Sequence, residues 1–212
     1  SYNLSYDDMR KRHIDDYRKY YSRVSLSLDG SSSFKDIPTD VQLKEYTDSN
    51  TVNPYLETLY FQYGRYLLIS SSRTKGVPAN LQGLWTPHLW SPWRGNYTMN
   101  INLEENYWHA QTTNLSEMMA PLDDFVKALA ENGCHTAANY YGINKGWCAC
   151  HNSDIWAMTN PVGEGKDNPK WANWNMGGAW IINSLWEKFQ FTQDIDYLRN
   201  VAYPLMKGAA QF

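Results

Sequence analysis

The stretch PYLETLYFQYGRYLLISSS, Pro54 to Ser72, decides the fold class. Leu56, Leu59, Tyr60, Tyr63, Leu67 and Leu68 recur at three- and four-residue intervals behind a proline suited to the first position of a helix. That period predicts an amphipathic helix with those six residues on its buried face. Strands, whose side chains alternate every two residues, do not produce it.

The same period extends in both directions. Tyr6 to Tyr21 reads as a helix, and Ser22 to Leu28 alternates like a short strand or an extended linker before the breaker Ser31 to Phe34. Asp36 to Tyr46 is a further helix with Pro38 at its first position. After the loop-rich block Arg73 to Tyr97, a helix starts at Asn102. Ser116 to Asn132 closes at Gly133, and Cys134 to Tyr141 closes at Gly142. A second Gly-, Pro- and Trp-rich loop runs from Asn144 to Asn175, and Gly178 to Phe191 and Ile195 to Phe212 complete the series. The expectation is an all-α architecture whose chemistry sits on two long aromatic loops. The division expected is 1–35, a linker helix with a short extended segment, and 36–212, the main domain. The final apolar run carries no Gly or Asn cap, so a helix continuing in a longer protein is expected.

Composition narrows the partners. At 212 residues a core can form without disulfide or metal support, and a net charge of −3 with mixed signs gives no footprint for nucleic acid or an anionic membrane. No apolar run approaches the roughly 20 residues of a membrane span. Three cysteines make no even disulfide framework. The 10 Trp and 16 Tyr stand out, because such side chains pair an apolar face with a polar handle and suit either a large core or a concave site that stacks on sugar rings.

The densest such segment is WSPWRGNYTMNINLEENYW, Trp90 to Trp108, with three tryptophans and four asparagines. In an extended segment Asn100 and Asn102 project to one side, where two amides hold one water or one hydroxyl pair. The structural alternative is a capping box, Asn102 as N-cap and Glu105 as its carboxylate, which gives Asn100 no role. Glycoside cleavage commonly uses two carboxylates, and the loops offer Glu104, Glu105, Asp154, Glu164 and Asp167, each of which suits a solvated or hydrogen-bonded loop position better than a catalytic one. Asp154 lies in HNSDIW beside His151, Asn152 and Trp156. Cys148, Cys150 and His151 mimic zinc ligands, but the C-x-C spacing and the want of a fourth ligand argue against metal, and no cofactor is expected. His13, His88, His109 and His135 are isolated. Of the three sequons, at Asn3, Asn96 and Asn114, a glycan on Asn96 would crowd the segment just described.

LYFQYGRYLLISSSR, PANLQGLW, the NINLEENYW run, HNSDIW and WANWNMGGAWIINSLWE followed by AYPLMKGAAQF together resemble, in order, the catalytic domain of glycoside hydrolase family 95, α-L-fucosidases that include α-L-galactosidases. The resemblance implies an (α/α)6 barrel, here a linker helix and about half the barrel, with the remaining half and flanking β-rich domains as intramolecular partners. It implies an inverting mechanism in which Asn102, with Asn100, activates water under a polarising Asp. The acid Glu of the family has a Ser-Pro-Glu context, whereas Ser91-Pro92 is followed here by Trp93, so acid and Asp are expected outside the fragment and the fragment is expected to be inactive alone. Thr98 replaces the usual His two residues before the first motif Asn, which implies room for the C6 hydroxyl of L-galactose. Thr98, Trp85, His151, Asn152, Asp154, Trp156, Trp171 and Trp174 are the substrate-binding candidates, against the alternative that the rings pack between helices. The implied substrate is a glycan ending in an α-L-sugar, met in the periplasm or after secretion. The alternative function is a non-catalytic carbohydrate-binding protein on the same scaffold.

Overall fold

A computed structural model describes residues 3–163 and 166–212, and these are mostly helical. The chain divides into two compact units, Ser1–Ile69 and Ser70–Phe212. In the first, α1 (Tyr6–Tyr21), α2 (Thr39–Ser49) and α3 (Pro54–Ser72) follow the expected order, whereas residues 24–28 join neither helix nor strand. Helix α2 begins one residue after Pro38, whose carbonyl accepts from Gln42 N–H at 3.0 Å. Asn53 starts α3 by accepting from Leu56 N–H at 2.9 Å, while its Nδ2 donates to the buried Gln42 side chain at 2.9 Å.

The buried face of α3 differs from the sequence expectation. Leu56 and Leu68 are buried, but Leu59, Tyr60, Tyr63 and Leu67 are exposed, and Arg65, Ile69 and Ser72 lie inside instead. Hydrogen bonding explains the difference. Arg65 Nη1 donates to Tyr21 O at 3.0 Å, Val24 O at 3.1 Å and Gln62 Oε1 at 2.9 Å, and Nη2 donates to Tyr20 O at 2.9 Å. Carbonyls at a helix end lack intrahelical partners, and one guanidinium fork satisfies several of them at once.

In the second unit, β1 (Tyr97–Thr98), α4 (Asn102–Glu105), α5 (His109–Thr112), α6 (Ala120–Tyr141), β2 (Asn152–Ser153), α7 (Pro169–Ala172), α8 (Gly177–Thr192), α9 (Ile195–Tyr197) and α10 (Tyr203–Gln211) pack around a core of Leu122, Val126, Leu129, Ile181 and Leu185, all fully buried. One expectation is overturned: Gly133 does not end a helix, because α6 runs unbroken to Tyr141 and Gly142 closes it at φ 70°. The glycine serves close approach, since a Cβ at 133 would meet Cys148 O at 2.4 Å. The expected final helix is also modified by a π turn at Leu198–Ala202, just before Pro204, whose missing N–H leaves an upstream carbonyl without its helical partner.

Across this unit, Lys188 Nζ donates to Asp123 Oδ2 at 2.6 Å and Tyr197 OH donates to Asp123 Oδ1 at 2.9 Å, tying α6, α8 and α9 together. Burial pushes the Asp123 carboxyl up, against the pull of Lys188. Trp147 Nε1 donates to Leu205 O at 2.9 Å, which anchors the loop leading to β2.

Candidate active site

Two residues of strand on each side assemble the site. β1 and β2 pair antiparallel with Thr98 opposite Asn152 and Tyr97 opposite Ser153, and Met99 N–H donates to His151 O at 2.8 Å. The ladder is short, but it fixes register, so positions 98 and 152 face one another across 54 residues of chain (152 minus 98).

Beyond β1 the chain turns sharply. Ile101 has φ 110°, a strained conformation for a β-branched residue, and its N–H donates to Glu104 Oε2 at 3.2 Å. The expected capping box is therefore corrected: the carboxylate belongs to Glu104 and not to Glu105, which is exposed, and Asn102 lies inside the first turn of α4 and not at its cap. Among the described residues no hydrogen bond engages the Asn102 side chain, so the amide faces its cavity uncommitted. The second correction follows from the same turn. Asn100 and Asn102 are not in extended backbone and do not share one pocket. Asn102 lines a cavity of about 630 Å³ with Thr98, Asn152, His151 and Trp171, and Asn100 lines an adjoining one of about 390 Å³ with Trp174, Trp180 and Lys170. His151 and Trp171 form the wall between them, the rings 5.5 Å apart and 72° inclined. His151 also stands edge-on to Trp174 at 6.4 Å, and its Nδ1 meets Asn152 Oδ1.

The other candidates disperse. Asp154 Oδ1 accepts from Trp156 N–H at 2.9 Å and Met158 N–H at 3.2 Å, so it organises its own loop while lining a third cavity of about 860 Å³. Trp156 is 81% exposed and stands over a separate hollow beside Val77, Pro78 and Phe125. Trp85 is half exposed and lines none of these cavities. Asp167 is exposed, and Glu164 lies outside the described residues. Cys148 and Cys150 are buried thiols, and burial pushes Cys148 up to about 12, so both stay protonated at neutral pH. No three metal-ligating side chains converge among the described residues. Asn168, Lys170 and Trp180 line the cavities without having been singled out by sequence, and Trp93 and Asn96 do so from the Trp90–Trp108 segment without having been named as binding candidates. Their spacing carries no period, and Trp93 reaches its place only through a left-handed backbone, φ 53°.

Fully buried Glu104 leaves Oε1 without a partner among the described residues. Burial pushes its carboxyl up from 4.5 to about 7, while the N–H groups of Glu104 and Ile101 pull it down. With the folded value above the unfolded one, the stabilising contribution is full below pH 4.5 and is lost as pH rises through about 7, a change of about 3 kcal/mol. Urea unfolding of the native chain and of Glu104→Gln should therefore diverge over that window, the variant gaining relative stability as pH rises. A difference that stays flat with pH would refute the assignment.

Residues 5–212 match the Glycosyl hydrolase family 95 catalytic domain. The chain is 44% identical over 210 residues to "Alpha-L-fucosidase 2" of Arabidopsis thaliana, covering 98% of this chain and 24% of that protein. It is 36% identical over 209 residues to "Probable alpha-fucosidase A" of Aspergillus niger, covering 98% and 26%, and 35% identical over 156 residues to the protein of that name in Aspergillus oryzae, covering 73% and 21%. The chain spans about a quarter of the length of these curated relatives. The match in sequence runs through both strands, the Asn100–Asn102 turn and the aromatic wall, and the chain belongs to glycosyl hydrolase family 95.

Proposed function

We propose that this domain contributes to an exo-glycosidase that removes terminal α-L-fucose or α-L-galactose with inversion, using water activated by Asn102. The observation that carries the reading is the uncommitted Asn102 amide, set in one cavity with Thr98, Asn152, His151 and Trp171. Hydroxyl, amide and imidazole groups beside an indole suit a pyranose ring, whose edge is polar and whose face is apolar. Family membership and the names of the relatives support the same substrate class.

In the proposed reaction the Asn102 amide oxygen accepts a proton from water as the water oxygen attacks the anomeric carbon. The bond from that carbon to the leaving oxygen breaks, and the leaving oxygen takes a proton from a carboxylic acid on the opposite side. A neutral amide is a feeble base. It needs a carboxylate on its NH₂ to stabilise the imidic form. No described carboxylate hydrogen-bonds Asn100 or Asn102, so the reading requires a polarising Asp and an acid Glu in addition to the described groups. On this reading the helices belong to an (α/α)6 barrel, and the protein works on glycans in the periplasm or after secretion.

Thr98 is proposed to read C6. Its side chain faces the cavity opposite Asn152, and Thr98 Oγ1 donates to Asn96 Oδ1 at 3.2 Å. A bulkier imidazole here would fill space that a C6 hydroxyl needs. The test compares kcat/KM for aryl α-L-fucoside and aryl α-L-galactoside on the full gene product. The native protein is expected to accept the galactoside, and Thr98→His to move preference toward fucoside by about tenfold or more, the scale of one gained or lost polar contact. An unchanged ratio would remove Thr98 from specificity. Turnover of neither glycoside would favour a sugar-binding role.

A further inference from the structure

The cavity beside Asn102 does not end at its own walls. Trp93, Asn96, Asn152 and Trp171 line both it and the third cavity of about 860 Å³, which runs on past Asn160 and Pro161. Each volume lies in the range of ligand sites, roughly 300–1,000 Å³, so the connected pair offers room for more than one sugar ring.

Trp93 stands where the two meet, and its exposure is unusual. The indole is 68% exposed and has no aromatic partner among the described residues. Its backbone is left-handed, as is that of the next two residues: φ is 53° at Trp93, 57° at Arg94 and 66° at Gly95. Two successive non-glycine residues in this region are strained, and strain persists only where surroundings hold it. Here the hold is visible. Arg94 N–H donates to Ser91 O at 3.0 Å, Asn96 N–H donates to Trp93 O at 3.2 Å, Asn80 Nδ2 donates to Gly95 O at 3.1 Å, and Gln82 Nε2 donates to Pro92 O. Asn80 and Gln82 thus anchor a strap that presents an apolar ring to solvent where two cavities share a wall. Folding alone gains little from such a placement.

We propose that Trp93 is the platform for the sugar unit adjoining the terminal one, so that the two cavities form one trench for an oligosaccharide. The proposal rests on the glycosidase reading above and assigns the leaving-group side of the same site. The apolar face of a pyranose stacks on the indole, while Asn96 and Asn152 lie within the shared wall to meet its hydroxyls.

The experiment uses the full gene product with two substrates of whichever α-L-sugar the native protein prefers: its glycosyl fluoride, which has no second sugar, and a trisaccharide ending in it. Trp93→Ala is expected to lose about ten- to a hundredfold more kcat/KM on the trisaccharide than on the fluoride, mainly through KM. Trp93→Phe should recover most of the loss, because a ring remains. Equal losses on both substrates, or none on the trisaccharide, would overturn the platform. If the native protein turns over neither substrate, the glycosidase reading falls, and calorimetric titration with the trisaccharide decides the platform alone. There, affinity about tenfold weaker in Trp93→Ala supports it and unchanged affinity overturns it.

Discussion

Replacing Asn102 with alanine in the full gene product is expected to lower kcat by about a thousandfold, within the span of 10²–10⁴ typical of a lost general base, while KM changes little. The Asn102 amide takes no part in holding its turn. Its neighbour Glu104 supplies the contact to Ile101 N–H, and no hydrogen bond among the described residues uses the Asn102 side chain. Stability should therefore be nearly untouched, within about 0.5 kcal/mol, as for substitutions away from structural features. An N-cap would behave otherwise. Its loss costs about 1 kcal/mol of folding energy and need not affect the chemical step. Activity and unfolding measured on the same variant thus separate the two roles. A variant that keeps kcat but loses stability would return Asn102 to a capping role and sink the water-activation mechanism. Asn100, which lines the adjoining cavity and not that of Asn102, should show a smaller kcat effect and a larger KM effect on alanine substitution if, as proposed, the water is activated at Asn102.

Replacing Arg65 with methionine is expected to destabilise the first unit by about 3–5 kcal/mol, the cost of leaving several buried polar groups unpaired. The stem methylenes are conserved by Met, so the loss isolates the guanidinium. Tyr21 O and Val24 O lose the guanidinium donor at once, and Tyr20 O is left with the Arg23 N–H at 3.3 Å. The two tyrosines close α1, whose own charges and caps are surface features, so the end of that helix should fray with the same substitution. Lysine at 65 keeps the charge but reaches fewer carbonyls, because one ammonium cannot reproduce a planar fork; an intermediate loss is expected. Urea unfolding with helical circular dichroism reads both. A loss under about 1 kcal/mol for Arg65→Met would show that solvent replaces these bonds and that Arg65 is not the clasp of α1.

These two residues also mark where sequence reading succeeds and fails. The periods at Tyr6–Tyr21 and Pro54–Ser72 gave helices with those limits. The face of α3 was misjudged, because hydropathy ranks Tyr60 and Tyr63 above Arg65, and nothing local announces that carbonyls from α1 draw the arginine inward. Gly133 was read as a stop, a role glycine often plays. Its actual reason is the approach of Cys148 O, a residue of another segment.

By itself, then, the sequence determined what local and repeating patterns can determine: helical class, the order of helices, the two aromatic loops, and, through multi-residue blocks, the family. It also named Asn100, Asn102, Thr98, Trp85, His151, Asn152, Asp154, Trp156, Trp171 and Trp174 as candidates, without separating those that meet in one place from those that do not. Only the tertiary structure decided their arrangement. The β1–β2 register sets Thr98 against Asn152, the strained Ile101 turn sends Asn100 and Asn102 into separate cavities, and the left-handed strap brings Trp93 to the wall that the Asn102 cavity shares with the third cavity. The physical reason is common to all three. Periodicity reports which side of an element is buried, but a site is made where irregular backbone from distant segments meets, and that geometry is set by hydrogen bonds and close packing between segments rather than by the residues' own preferences.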